Sequence, residues 1–588
     1  MTSESIDPAK AAVDQRPPEM LGDTIWRDLT YLSGLVGRYV RADPWIAGLL
    51  VVVILGSSFL AAFLGVSLNV KLGAITDALV ALDGAKVGGL LFSLLLILLA
   101  VLIVGQSLIV ATYIVRWRWR SKYTIEFIDQ WMSQDRFLSL QRDLSVENPE
   151  QRIQEDLYFV AQSVTQILPE LLATVVSVTL SMGLLLKVSH PLSLAPIGLP
   201  VTVPADMLIA TIFFGFIWTV GAHFVGRPIS AIEVARQRLE ADFRHTLGQV
   251  REHGEAIAFE RGGARERARA LGIFSLLGAN WRRFAIVNVQ LNAFNEFVSL
   301  SVPRFLPVLL SIPHILAHQM TVGQMTVSAL AFTTVLAGLA VFARLYASIA
   351  ELRAGVARIR LLDTELHRPL VSDVQFAEGG ASVALRALTI NRPNGKRLLD
   401  VDQFDVRAGD RVLVRGRSGA GKSTLLRAIA GLWPYGSGDI KMPARDRVMF
   451  LPQRGYMPSG TLAELLSYPE APSEADRGRY ADALRRLSLT DYIDRLGEYA
   501  EWRRVLSPGE QQRMAAVRVL LRSPDFVFLD EATSALDVEL EAELYRTLTE
   551  ALPAAAIVSV AHRPTVARFH TTAVDIAAGQ VTTSAITS

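Results

Sequence analysis

Lys422, Ser423, Asp530, Glu531 and His562 are the side chains of this 588-residue chain whose types and order could bind a polyphosphate and attack it with water. The first two end the run Gly416-Arg417-Ser418-Gly419-Ala420-Gly421-Lys422-Ser423-Thr424, which fits a phosphate-binding P-loop at every required position. Glycines at 416, 419 and 421 allow turns tight enough to aim backbone N–H groups at the phosphates. Lys422 would reach the outer phosphates and Ser423 the magnesium ion. Asp530 and Glu531 end the apolar run Phe526-Val527-Phe528-Leu529. Successive strand residues point opposite ways, so the pair can divide two jobs: Asp530 holding magnesium through water, Glu531 polarising the attacking water as general base.

Two further segments suit the γ-phosphate. In Leu506-Ser507-Pro508-Gly509-Glu510-Gln511-Gln512-Arg513 a small turn leads into a helix, so the Ser507 hydroxyl, the Gly509 N–H and the helix N-terminus could grip it together. In Ser559-Val560-Ala561-His562-Arg563 the histidine follows an apolar strand-like run and could hydrogen-bond the same group.

Positioning these groups calls for an α/β domain. Arg411 to Arg415 reads as a strand running into the P-loop and Leu425 to Ala430 as the helix leaving it. Met449-Phe450-Leu451 is a short apolar strand that delivers Gln453. With a further strand at Val383 to Ile390, an α/β domain is expected over residues 383–575, preceded by a linker at 363–382 and followed by a tail at 576–588.

The other half has a different composition. Hydrophobic residues make up 51% of the chain and the mean hydropathy is +0.31, values that point to membrane spans. The 59 basic and 57 acidic residues nearly balance, which gives no support to a nucleic-acid partner. The absence of cysteine excludes disulfides and thiolate chemistry. Six spans are expected: Trp45 to Val70, Val87 to Val115, Leu171 to Leu186, Leu208 to Val225, Phe284 to Ile312 and Met320 to Ala347. The third is short and must borrow Ile167, Leu168 and Pro169. The arginine-rich stretches 116–166 and 226–283 go to the cytoplasm by the positive-inside rule and read as helical extensions of the spans. Arg116-Trp117-Arg118-Trp119-Arg120-Ser121-Lys122 reads as an aromatic and basic anchor at that face. Ahead of the spans, residues 1–25 read as a disordered tail. Trp26 to Arg41 fits either an amphipathic helix lying on the membrane or an ordinary soluble one.

Glu296 and Arg304 fall inside the fifth span, where charges are expensive, with Asn292 and Asn295 nearby. Two readings stand: they line a hydrophilic substrate cavity or serve a proton-linked step, or they pair with other helices. Pro303 and Pro307 are expected to kink this span.

In this order the segments resemble ABC transporters, with residues 416–424 as Walker A, Gln453 as Q-loop, residues 506–512 as signature motif, residues 526–531 as Walker B, Ser534-Ala535-Leu536-Asp537 as D-loop and His562 as switch histidine. In the membrane half, Asn148 to Asp156, Gly226-Arg227-Pro228-Ile229 and Glu255 to Phe259 are similar to segments of the BacA/SbmA-related bacterial branch and its peroxisomal fatty-acyl relatives. The resemblance implies a six-helix transmembrane domain of exporter-like type, over residues 26–362, followed by a P-loop ATP-binding cassette. It implies ATP and Mg2+ as cofactors, with Glu531 and His562 catalytic. It also implies a homodimer in the inner membrane, in which the P-loop of one subunit faces Ser507, Gly509 and Glu510 of the other. The resemblance implies uptake of hydrophilic solutes such as peptides, peptide antibiotics and cobalamin, with export of lipids or drugs, or transport of fatty-acyl groups, as the alternative; an ATP-gated channel is a third reading. One departure stands out. Asn391-Arg392-Pro393-Asn394 holds no aromatic residue where most cassettes stack the adenine.

Overall fold

The computed structural model describes residues 21–143, 146–193, 202–369 and 372–586, and divides between Arg368 and Pro369 into two compact units. The first twenty residues of the expected tail lie outside that range, and Leu21 already begins a helix.

The first unit is helical: α1 (Leu21–Ala42), α2 (Pro44–Val80), α3 (Gly84–Met132), α4 (Leu157–Val188), α5 (Asp206–Glu252), α6 (Gly263–Leu316) and α7 (Val322–His367), with short helices between some of them. Among the described residues six helices are long and apolar enough to cross a membrane, in register with the six expected spans. The ends are set by local chemistry. Asp43 caps α2, with Pro44 at its first position, and Asp83 caps α3 through the N–H of Lys86. Thr321 and Gln324 form a capping box at the start of α7. The third span gains its length because α4 runs through Pro169. Likewise α6 stays continuous through Pro303, Pro307 and Pro313.

One expectation needs correcting. The tryptophan–arginine run is only partly a surface anchor: Trp117 is exposed, but Trp119 is buried with Leu35 and Tyr39 of α1, Tyr123 and Phe127 of α3, and Val356 and Ile359 of α7. A helix places residues two apart on opposite faces, so a run of alternating tryptophans cannot all meet the same surroundings. The same cluster shows what α1 does. Its Asp28 pairs with Arg360 (3.2 Å) and its Tyr31 hydroxyl donates to Asp363 (2.7 Å), so one face is spent on protein.

The second unit is built on a ten-stranded mixed sheet. Its strands are β1 (Asp373–Glu378), β2 (Val383–Asn391), β3 (Arg397–Val406), β4 (Arg411–Gly416), β5 (Gly436–Met442), β6 (Val448–Leu451), β7 (Phe526–Asp530), β8 (Ala556–Val560), β9 (Thr572–Ala577) and β10 (Gln580–Ala585). Their order is β1-β5-β2-β3-β10-β9-β4-β8-β7-β6. Two boundaries move. The expected linker at 363–382 contains the end of α7 and all of β1, which pairs with β5, and the expected tail at 576–588 contains β10, which pairs antiparallel with β9. Both strands are short and polar on at least one side, so periodicity alone does not mark them; Ala578 and Gly579, both at positive φ, make the tight turn into β10.

The segment β9-β4-β8-β7-β6 is parallel throughout. Alternate residues of its strands feed two cores: Val527 and Leu529 pack on one side, Phe526 and Phe528 on the other. In a parallel sheet every strand ends at the same edge, and ligands bind outside the carboxyl ends. That edge receives Gly416 from β4, Asp530 from β7, the segment leading to His562 from β8 and the segment leading to Gln453 from β6.

Candidate active site

At this edge the P-loop winds from β4 into the helix α8 (Lys422–Ile429). Gly416, Gly419 and Gly421 all have positive φ, and at Gly416 a side chain would also meet the carbonyl oxygen of Ile576 at 2.8 Å. The Lys422 ammonium folds back over the loop, donating to the carbonyls of Gly416 (2.9 Å) and Arg417 (3.2 Å). It has three protons, so these two bonds leave one for a phosphate oxygen.

The carboxylate pair does divide, but Glu531 lies just past the end of β7, where a left-handed backbone rather than strand alternation turns it. The Ser423 hydroxyl donates to Oδ1 of Asp530 at 2.9 Å. Burial pushes the Asp530 carboxyl above its ordinary range and the Glu531 charge adds to this, while the Ser423 hydrogen bond opposes it. Glu531, at φ 50°, turns the other way: its Oε1 lies 2.9 Å from Nε2 of His562 and its Oε2 accepts from Nε2 of Gln453 at 3.1 Å. Sequence-distant residues therefore meet around one carboxylate. The Gln453 amide spends its nitrogen on Glu531 and keeps its oxygen, so Ser423, Asp530 and Gln453 can offer magnesium three oxygen donors. One carboxylate, one hydroxyl and one amide suit an ion that arrives with phosphates.

A cavity of about 580 Å³ opens beside the P-loop, lined by Ser418, Gly419, Gly421, Lys422, Ser423, Thr424 and Glu531, and on its other side by Arg392, Pro393, Asn394, Leu398 and Trp433. Trp433 escaped the sequence reading because it lies beyond α8, far along the chain from residues 391–394. Only the pairing of β2 with β5 brings the two segments together.

Ser507, Gly509 and Glu510 are not in that lining. Ser507 is the N-cap of α9 (Pro508–Arg522), and Glu510 completes its capping box. The Ser507 N–H and hydroxyl and the Tyr492 hydroxyl all donate to Glu510. Burial raises the Glu510 carboxyl, but these donors outweigh it and hold the group below its ordinary range. The sequence reading gave Gln512 no role of its own within the signature segment; it donates to Ser534 (3.2 Å) and accepts from the Ala535 N–H (2.9 Å). Arg563 donates to the Leu536 carbonyl (2.6 Å), and Asp537 caps α10 (Val538–Ala551). The segment 534–537 is thus held from both the signature helix and the His562 segment.

In the membrane unit a second cavity, of about 1730 Å³, is lined from α4, α5, α6 and α7. Glu296, Asn292 and Asn295 line it, together with Arg227, noted in the sequence only as part of the segment 226–229, and with Glu170 and His223, which the sequence did not single out. Arg304 does not line it, which corrects the pairing of Glu296 and Arg304 as cavity residues. Eight helical residues carry a side chain about 12 Å along and roughly 80° around, away from the face that Glu296 presents.

Residues 41–316 match the family model described as ABC transporter transmembrane region 2, and residues 399–534 the model described as ABC transporter. The chain is 34% identical to an uncharacterized ABC transporter ATP-binding protein of Synechocystis sp., over 92% of this chain and 82% of that one. It is 27% identical to the inner membrane ABC transporter ATP-binding protein YddA of Escherichia coli, over 80% and 83%. With ABC transporter D family member 2, chloroplastic, of Arabidopsis thaliana it shares 28% over 77% and 72%. With one membrane domain and one cassette fused in the make-up of a BacA/SbmA-related half-transporter, the chain belongs to the ABC transporter family and is a multi-pass membrane protein whose cytoplasmic ATPase is coupled to transport.

Proposed function

We propose that the chain works as a homodimer that takes up hydrophilic solutes, such as peptides, peptide antibiotics or cobalamin-like compounds, across the inner membrane at the expense of ATP. The cavity in the membrane unit carries this reading. Glu296, Asn292 and Asn295 line it from within the fifth span, where such groups are costly unless they meet polar surroundings, and Glu170, His223 and Arg227 add polar groups from the ends of the third and fourth spans. Its apolar wall, with Val178, Leu291, Leu300 and Val341, favours a second reading in which lipid, drug or fatty-acyl cargo is moved.

The cassette supports the dimer reading. Within one chain the Ser507 hydroxyl faces its own Glu510, and the residues beside the P-loop cavity do not include the signature segment. A second copy would bring Ser507, Gly509 and its α9 N-terminus to the γ-phosphate held by Lys422, with Ser423, Gln453 and Asp530 holding magnesium. Glu531 would then take the proton of the attacking water, oriented by His562.

Uptake of labelled cobalamin and of a proline-rich peptide into proteoliposomes, with ATP on the cassette side, tests the cargo. Accumulation by the wild type that is lost in Glu531→Gln supports uptake. No accumulation alongside intact ATPase activity, stimulated instead by lipid or acyl compounds, supports the second reading. Mixing Lys422→Ala and Gly509→Asp subunits, each inactive alone, should restore ATPase activity in heterodimers that hold one intact composite site.

A further inference from the structure

The P-loop cavity has a phosphate side and a side that no motif assigns. The second side is formed by the β2–β3 turn, with Arg392, Pro393 and Asn394, and by Trp433. We propose that Trp433 is the stacking platform for the nucleotide base, in place of the aromatic residue that residues 391–394 lack, and that the pocket discriminates weakly among bases. The proposal rests on the P-loop reading given above.

The placement fits a nucleotide's shape. Trp433 lies on the chain leaving α8, the helix whose N-terminus faces the phosphates, so triphosphate and base would contact the two ends of one short segment. The ring is also fixed in position. Its Nε1 donates to the Asn391 carbonyl at 2.9 Å, and the Asn391 N–H donates to the Tyr435 carbonyl at 2.9 Å, so one backbone residue at the end of β2 anchors both the indole and the chain beyond it. Tyr435 packs against it nearly at right angles, with ring centroids 5.4 Å apart. A platform held on two sides loses little freedom when a base settles on it.

The same bonds explain the weak discrimination. The indole N–H is already spent, so the ring offers a ligand its π system and no hydrogen-bond donor. The Asn394 Oδ1 is taken as well, accepting from the Lys396 N–H at 3.1 Å, which leaves that side chain only its Nδ2 donors for a ligand. Stacking tolerates any base, because every base has a π face.

The test is binding of ATP, GTP and inorganic tripolyphosphate to the full-length protein in nanodiscs. The comparison is between wild type and Trp433→Phe, Trp433→Leu, Trp433→Ala and Lys422→Ala. Removing a stacking partner should weaken ATP and GTP alike by about five- to a hundredfold in Trp433→Ala and Trp433→Leu, with tripolyphosphate unaffected. Trp433→Phe, which keeps a ring, should stay within about threefold of wild type. Wild-type affinity for ATP in Trp433→Leu overturns the proposal. So does an equal loss of ATP and tripolyphosphate in Trp433→Leu and Trp433→Ala, which would mean that the indole only supports the fold. If Lys422→Ala binds ATP and tripolyphosphate as the wild type does, the P-loop reading itself fails and the stacking proposal falls with it.

Discussion

Nε2 of His562 and Oε1 of Glu531 lie 2.9 Å apart, joining the segment after β8 to the residue that ends the β7 carboxylate pair. This contact fixes the carboxylate that the site reading makes the general base. Glu531→Gln is expected to lower ATP hydrolysis by about 10²- to 10⁴-fold while ATP still binds. His562→Ala should also be slow, and the double variant no slower than Glu531→Gln, because the two act as a unit. Phosphate release and nucleotide binding on the same samples check both statements.

Ser507 has a capping role that must be separated from any role at phosphate. Losing the N-cap of α9 should cost about 1 kcal/mol of stability in Ser507→Ala. If the hydroxyl also serves a γ-phosphate, ATPase activity should fall more than tenfold at a temperature where the variant is fully folded. Thermal melts and activity assays run in parallel distinguish the two.

His570 gives the cassette a pH limit. Its Nδ1 faces the Val566 carbonyl and its Nε2 the Ser559 hydroxyl, each at 2.9 Å, and burial pushes its pKa down from 6.5 to about 4. The folded state holds this ring neutral, so the unfolded chain takes the proton first as pH falls. The contribution is complete above about pH 6.5 and is lost as pH falls toward 4; the gap is worth on the order of 3 kcal/mol. Hydrogen exchange in the β8 strand should accelerate between pH 7 and 5 in the wild type, relative to His570→Gln.

Gly73 of α2 and Gly323 of α7 meet closely, and Asp77 completes the contact. Its carboxylate accepts from the Gly323 N–H at 2.7 Å and from the Thr321 hydroxyl at 3.0 Å. A methyl group on Gly323 would run into the Gly73 carbonyl and the Asp77 carboxylate. Gly323→Ala is therefore expected to cost about 1–3 kcal/mol by overpacking. A lowered melting temperature in detergent, larger than that of Gly88→Ala, where a side chain meets open space, is the check.

The sequence by itself determined the parts whose chemistry is local. Six spans were legible because a membrane crossing needs a long apolar run, and the P-loop because three glycines and Lys422 must stand at fixed spacing to turn around phosphates. Asp530 and Glu531 could be given separate jobs because strand alternation is a property of consecutive residues. Tertiary structure decided the rest. Trp433 reaches the P-loop cavity only through the pairing of β5 with β2, and Glu296 was separated from Arg304 only once one helix face was seen to line a cavity. Strand β1 hid in an expected linker because its partner β5 lies far along the chain, and β10 hid in an expected tail because, although a two-residue turn joins it to its partner β9, its own residues are mostly polar and carry little strand pattern.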